Sequence, residues 1–183
     1  EGIKKNFYIN AWTGPFIMAI TNSNIVRRSS ALLAEKGSGY GKNFIYTEKA
    51  YYSNLWSSLL GTLLLAILGF CILSPLNTII RPFLKKPGEG PTHKIMDSGF
   101  MKSKFLVHGE NGQNSIYEIF GKGDPGYKLT SMFVCESACS LLEPKSKLPG
   151  GVKYGGILTP ATGLGDVLIK RLINAGIIFR KII

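Results

Sequence analysis

The chain has 183 residues and a mass of 20.0 kDa, which predicts one domain or slightly more. It is 45% hydrophobic and only 18% charged, which excludes a disordered protein, because disorder requires low hydrophobicity and dense charge. Lysine and arginine number 22 against 11 acidic residues, so the net charge is +11, but these cations are scattered and form no nucleic-acid-binding arm. Three irregularly spaced cysteines exclude a small disulfide-rich secreted scaffold.

The sequence starts at Glu1 rather than at methionine, and its first residues lack the apolar core and the cleavage site of a signal peptide. We therefore expect the chain to begin inside a longer gene product or to result from processing. The composition along the chain suggests three segments: the first part of an α/β domain (residues 1–49), a hydrophobic membrane-associated helix (50–84), and the remainder of the α/β domain (85–183).

The first segment reads as a short α/β unit. A continuous apolar run at residues 15–20 is typical of a buried strand, and Asn22 or Ser23 can cap a helix that follows. Residues 37–41 contain three glycines and predict a turn, and residues 44–48 alternate in polarity as a strand does.

The strongest feature of the sequence is the span of residues 50–80, which contains no charged side chain. Its densest part, Leu55–Leu73, is long enough as a helix to cross a hydrocarbon core of roughly 30 Å. Residue types favoured at membrane interfaces flank it: Tyr51, Tyr52 and Trp56 before it, and Arg81, Lys85 and Lys86 after it. Three interpretations remain open: a spanning helix, a re-entrant or monotopic insertion that turns at Pro75, and a buried core helix. The sequence favours membrane contact.

The second half predicts a β-hairpin followed by helices. Phe100–His108 alternates imperfectly, residues 110–113 contain an Asn-Gly pair that favours a tight turn, and residues 116–120 form the return strand. Asp124 followed by proline predicts one helix start, and Thr159 followed by proline predicts another.

The second helix should end at Gly176, and residues 177–183 should form a final strand. These elements predict an α/β fold of α+β-like character, in which helices cover a mixed sheet that includes the hairpin. One long hydrophobic membrane-type helix interrupts the fold.

Residues 121–126 formally match the glycine pattern of dinucleotide-binding loops. A pyrophosphate needs free backbone amides, however, and here Asp124 places a carboxylate beside it while Pro125 has no amide to offer. The preceding strand also belongs to a hairpin rather than to a βαβ unit. We therefore predict a capped helix start rather than a cofactor site.

The cysteines and histidines give only weak evidence of a metal site or a catalytic site. Cys135 and Cys139 lie one helical turn apart, but no further ligand lies close in sequence, so we predict packing rather than metal binding. His93 and His108 fall in a loop and a strand, and neither lies in a nucleophile motif. No catalytic residue is predicted.

Several short stretches, taken in order, follow the pattern of one known family. They are residues 15–19 and 24–29, the uncharged span, and residues 86–91, 123–128, 155–161 and 165–166, followed by an amphipathic helix and a final strand. From about Trp12 onward this ordered set resembles the C-terminal portion of the saccharopine dehydrogenase-like oxidoreductases.

The resemblance implies an oxidoreductase lineage. In full-length members an N-terminal Rossmann domain carries NAD(P), and the second domain covers the active-site cleft. Because that half and its glycine loop are absent here, the resemblance implies no cofactor in this chain, and NAD(P) only where the N-terminal half is present. Related bacterial members act as trans-acting enoyl reductases on lipid intermediates. Eukaryotic members are associated with membranes, including mitochondria, lipid droplets and the endoplasmic reticulum.

We therefore expect a membrane-associated domain that anchors such an oxidoreductase and walls its substrate cleft. Substrate binding, if present, would use Arg27, Arg28, Tyr127 and Thr159. The expected partners are membrane lipid, the missing N-terminal half or another protein, and a homo-oligomer or larger membrane complex, but not nucleic acid. One alternative is a non-catalytic accessory or scaffold subunit of a membrane complex, such as a mitochondrial one. A soluble binding module is the third hypothesis.

Overall fold

The computed structural model describes residues 2–75, 78, 82, 86, 88–151 and 155–183. The chain divides into two compact units, Glu1–Glu89 and Gly90–Ile183. The described residues form two three-stranded antiparallel sheets and six helices, so the predicted mixed α/β class is confirmed. The prediction of one mixed sheet is wrong, because each unit holds a separate sheet whose neighbouring strands all run in opposite directions.

In the first unit, β2 lies at the centre of the sheet and pairs with both β1 and β3. The elements in chain order are β1 (Lys4–Asn6), β2 (Ala11–Gly14), α1 (Ala19–Ala34), β3 (Ala50–Tyr52) and α2 (Leu55–Leu73). The predicted turn at residues 37–41 is confirmed as part of the irregular connection between α1 and β3.

Both strands predicted in this unit are wrong in position. The apolar run at 15–20 leads into α1, which already begins at Ala19 without a side-chain cap, and its Ile17 is exposed. Proline at the start of that run has no amide for a ladder hydrogen bond. Residues 44–48 do alternate between half-buried and exposed side chains, but among the described residues their backbone pairs with no strand, and β3 forms further along the chain.

The long apolar helix predicted at Leu55–Leu73 is confirmed as α2, with the predicted bounds. Its start is capped by Asn54, whose Oδ1 accepts a hydrogen bond of 2.8 Å from the Ser57 amide. It ends at Ser74, which is extended and precedes Pro75. Arg81 and Lys85, which were expected to contact lipid headgroups, lie outside the described residues.

Small residues allow the first half of α2 to pack closely on the sheet. Ser58 is fully buried, and its Oγ lies 3.5 Å from the carbonyl oxygen of Thr13 in β2. A Cβ added to Gly61 would lie 2.6 Å from the hydroxyl oxygen of Tyr52 in β3. Any larger side chain at position 61 would therefore push the helix and the sheet apart.

The second unit contains the predicted hairpin and the helices that follow it. β5 is central, and it pairs with β4 and β6. The elements are α3 (His93–Ser98), β4 (Phe100–His108), β5 (Asn114–Lys122), α4 (Lys128–Ser140), α5 (Pro160–Gly163), α6 (Gly165–Asn174) and β6 (Ile178–Lys181).

The hairpin and the final strand are confirmed, although the return strand β5 is longer than residues 116–120. The helix predicted to start at Asp124 begins instead at Lys128, because the Asp124 carboxylate closes a turn onto the Tyr127 amide at 2.6 Å. The helix predicted after Thr159 is divided into α5 and α6. Gly165, with a φ of +49°, adopts a left-handed conformation at the break.

We expect Gly61→Ala to destabilise the chain by about 1–3 kcal/mol, because the added methyl group overlaps the Tyr52 ring. Gly69→Ala is the matched control on the same helix, since nothing lies within 4 Å of its added Cβ. The control should be neutral or stabilising by up to about 1 kcal/mol. Denaturant unfolding in detergent measures both free energies, and equal effects would contradict the close packing described above.

Candidate functional site

The four residues predicted to bind substrate have different surroundings. Arg27 and Arg28 are neighbours on α1 with exposed side chains, and they lie in the first unit. Tyr127 is 54% exposed at the start of α4 in the second unit. Thr159 is only 4% exposed. Its hydroxyl lies 3.1 Å from that of Thr162, and the two residues form a capping box at the start of α5. The Thr159 hydroxyl is therefore used to begin a helix, and the role of these four residues in substrate binding stays a prediction.

Residues 121–126 do not fit a nicotinamide cofactor. The Gly123 and Asp124 amides donate hydrogen bonds of 2.8 and 2.7 Å to carbonyl oxygens at the end of α3, and Pro125 has no amide. The Tyr127 amide is bound by the Asp124 carboxylate. The amides of Gly123, Asp124 and Tyr127 are therefore already satisfied, and the Asp124 carboxylate would repel a pyrophosphate.

A buried carboxylate joins the three strands of the second sheet. Glu118 of β5 is 2% exposed, and it accepts a hydrogen bond of 2.9 Å from Arg180 Nε of β6. Its second oxygen lies 3.2 Å from Lys102 Nζ of β4. Burial alone raises the pKa of Glu118, but hydrogen bonds from Arg180 and Lys102 outweigh it, so the pKa lies below its ordinary value. No short window of sequence reveals this cluster, because 62 residues separate Glu118 from Arg180.

The opposite face of the same sheet carries an open apolar depression of about 250 Å³. It is lined by Phe105, Tyr117, Ile119 and Phe179, whose side chains share this face, and by Glu118 and Arg180, which alternate with them along β5 and β6. Three of the four side chains on this face are between 37% and 42% exposed. Such a surface can bind an apolar group, but these four side chains offer no acid or base for chemistry near neutral pH.

A polar cluster in the first unit also joins residues that lie far apart in sequence. Asn22 on α1 donates a hydrogen bond of 3.1 Å to Glu48 Oε1. Glu48 Oε2 is buried and finds no hydrogen-bond donor among the described residues. Burial, and then the charge of Glu48, raises the pKa of Tyr46. The Tyr46 phenol therefore stays protonated at neutral pH and can donate a hydrogen bond, although the strand-like alternation of this segment gave no sign of it.

No metal site is evident in the part of the chain that the structure describes, since no three His, Cys, Asp or Glu side chains lie close enough to hold an ion. Cys135 and Cys139 are free thiols on α4. His93 begins α3, and His108 ends β4, where its Nδ1 lies 2.6 Å from Asn114 Oδ1. This contact belongs to the hairpin.

The chain is similar to mycobacterial enoyl reductases. It is 32% identical over 178 residues to a Mycobacterium tuberculosis (H37Rv) protein named as a candidate trans-acting enoyl reductase, covering 91% of this chain and 40% of the relative. It is 28% identical to the trans-acting enoyl reductases of Mycobacterium bovis (BCG) and Mycobacterium ulcerans, with the same coverage. The chain thus spans about 40% of the length of these relatives. No protein-family profile and no solved structure matches it.

The expected identity as part of a saccharopine dehydrogenase-like oxidoreductase is therefore wrong, because these relatives are named trans-acting enoyl reductases. The expected role as the membrane anchor and cleft wall of such an enzyme falls with it. The scaffold alternative gains no support from the relatives' names. Mitochondrial and lipid-droplet associations came with the same resemblance and are also unsupported, since the relatives are mycobacterial.

We expect Glu118→Gln to lower the melting temperature at pH 7 by several degrees, because it removes the charge that binds Arg180 and Lys102. The folded pKa of Glu118 lies below the ordinary 4.5. Its stabilisation is therefore fully present above pH 4.5 and is lost as the pH falls below that value through the folded pKa. The unmodified chain should lose stability over this acid range more steeply than the variant does.

Thermal unfolding followed by circular dichroism, at neutral pH and through the acid range, tests this prediction. Glu143→Gln is the control, because Glu143 forms only a surface pair with Lys147 at 3.1 Å. Equal losses of melting temperature in the two variants would contradict a special role for Glu118.

We expect Asp124→Ala to leave NADH and NADPH binding undetectable by calorimetry, although it removes the carboxylate that would repel a pyrophosphate. The neighbouring amides remain bonded to the end of α3, so no site opens. The loss of the hydrogen bond to Tyr127 should cost about 1 kcal/mol of stability, and Asp124→Asn should restore most of it. Nicotinamide binding gained by the alanine variant would show that the loop is a cofactor site held closed by this side chain.

Proposed function

We propose that these 183 residues form part of an oxidoreductase that reduces an enoyl group. The observation that carries this proposal is the similarity to trans-acting enoyl reductases, which extends over 91% of the chain rather than over one motif. Reduction of an enoyl group adds a hydride to one carbon of the double bond and a proton to the other.

The reductant is expected to bind outside the residues that the structure describes. The one dinucleotide-like motif has its amides satisfied internally, so these residues do not fit a nicotinamide. We therefore assign no hydride-transfer step to them. Their contribution to the reaction would be the binding of substrate.

The apolar depression on the second sheet suits the hydrocarbon part of an enoyl substrate. Phe105, Tyr117, Ile119 and Phe179 present carbon surface there, on the face of the sheet opposite the Glu118 cluster. Removing such surface from water contributes about 25 cal/mol per Å² to binding. A substrate with a longer hydrocarbon tail would gain more from this surface.

We also propose that α2 contacts the hydrocarbon of a membrane. It is the one described helix long and apolar enough to cross a bilayer by length and composition. Ser58 is its one buried residue, and Leu73 is 89% exposed, so the arrangement argues against the core-helix interpretation. The predicted oligomer or membrane complex stays a prediction.

The reductase assay uses the natural polypeptide that carries these residues, tagged at its gene and purified with its bound partners. We expect oxidation of NADH or NADPH that depends on an added enoyl thioester. Phe179→Ser should raise KM about tenfold with little change in kcat, because it removes aromatic surface worth roughly 1.4 kcal/mol.

Val134→Ser is the matched control, because Val134 is 64% exposed on α4 and lies outside the depression. Its KM should be unchanged. Absence of enoyl-dependent oxidation in the tagged preparation would overturn the proposed activity. Normal activity with unchanged KM in Phe179→Ser would overturn only the role of the depression.

A further inference from the structure

The two halves of α2 differ in chemistry. The hydroxyl side chains Ser57, Ser58 and Thr62 all lie in its first half. Residues 63–73 contain only apolar side chains, glycine and one cysteine. The polarity of the helix therefore changes along its axis rather than around it, as expected for a helix that enters an apolar medium end-on.

The first half of α2 is already occupied by the sheet of its own unit. It contacts β2 and β3, and Ser58 is fully buried there. Thr62 Oγ1 donates a hydrogen bond of 2.8 Å to the Ser58 carbonyl oxygen, so this hydroxyl is satisfied within the helix. A Cβ added to Gly14 of β2 would lie 3.0 Å from Thr62 Oγ1, which shows how closely the helix and the sheet approach.

The second half of α2 is exposed along its length. Leu63, Leu68 and Leu73 are 57%, 47% and 89% exposed, and the helical repeat places them on different sides of the helix. A helix surface that is apolar on all sides and uncovered is suited to hydrocarbon rather than to water.

The attached sheet limits how far α2 can enter a bilayer. β1 pairs with β2 and carries the exposed side chains of Lys4 and Lys5. Bringing residues 55–62 to membrane depth would draw these lysines in as well. Each lysine at the bilayer centre costs about 2.5–3.5 kcal/mol on insertion scales, and breaking the helix–sheet contact would cost more.

We propose that α2 enters only one leaflet, through residues 63–73, so that Ser53 and Lys86 remain on the same side of the membrane. At 1.5 Å per residue this segment is about 16 Å long, which matches one leaflet of a hydrocarbon core of roughly 30 Å. The net charge of +11, with Lys49 and Lys86 flanking the uncharged stretch, complements an anionic lipid surface. The inference rests on the membrane contact proposed above and is independent of the reductase activity.

The test is sided labelling of two single-cysteine chains. Cys71, Cys135 and Cys139 are replaced by alanine, and Ser53→Cys or Lys86→Cys is then introduced. Each chain is expressed at full length in bacteria and exposed to a membrane-impermeant maleimide, in spheroplasts and in inverted inner-membrane vesicles.

One-leaflet insertion predicts labelling of both positions in one preparation and of neither in the other, with the protein in the membrane fraction. Labelling of the two positions from opposite sides would overturn the inference and show a spanning helix. Recovery of the chain in the soluble fraction would overturn membrane contact itself. In that case residues 63–73 would be covered by protein, for example by a second copy of the chain. An unchanged reductase assay would then leave the proposed activity intact.

A matched pair of charge substitutions tests the depth independently. Ile67 and Leu59 are 49% and 42% exposed, one in each half of α2. Ile67→Lys should reduce co-flotation with phosphatidylglycerol-containing vesicles at least tenfold, whereas Leu59→Lys should reduce it less than threefold. Equal losses would overturn one-leaflet insertion, because a spanning helix would bury both positions.

Discussion

The close approach between α2 and the first sheet is the contact on which the rest of the first unit depends. It is permitted because Gly14, Ser58 and Gly61 are small and leave room for the Tyr52 ring between helix and sheet. β1, β2 and β3 are only 3, 4 and 3 residues long, and so small a sheet is not stable by itself. The helix supplies the packing that the sheet needs, and the sheet in turn covers the first half of the helix.

The sheet of the second unit carries an ionic cluster on one face and an apolar depression on the other. Glu118 holds Arg180 and Lys102 on one face, and the side chains one position along the same strands form the apolar depression on the other. Because side chains alternate strictly along a strand, a slip of one residue would exchange the side chains of the two faces and separate Glu118 from Arg180 and Lys102. The ionic cluster thereby fixes the register, and the register places the depression.

Local signals in the sequence predicted part of this fold correctly. α2 and β4 have the predicted bounds, because an uncharged apolar run and an alternating strand before an Asn-Gly turn are signals that a short window contains. The strand predicted at residues 15–20 was wrong, because local apolarity does not reveal whether a partner strand lies alongside. The helix predicted at Asp124 was displaced because the same side chain can cap a helix or close a turn.

The candidate sites depended on contacts that no short window contains. Glu118 and Arg180 become a pair only after β6 joins the sheet, and Asn22 and Glu48 meet across 26 residues. Thr159 was predicted both to start a helix and to bind substrate; its capping box confirms the helix start, and substrate binding stays a prediction. The argument against a dinucleotide loop at residues 121–126 could be made from the sequence alone, since a missing amide at proline is a local property.

The position of β6 at the edge of its sheet affects how readily the chain aggregates before it is fully folded. Among the described residues β6 pairs only with β5, and α4, α5 and α6 separate the two strands in sequence, so Ile178 and Phe179 gain their partner strand only through a long-range contact that forms late in folding. An apolar edge strand that pairs late in folding is a site where two unfolded chains can join. Arg180 and Lys181 act as gatekeepers there, because two adjacent positive charges repel the same strand of a second chain. Arg180, which binds Glu118 in the folded sheet, thus also disfavours aggregation of the chain before it folds.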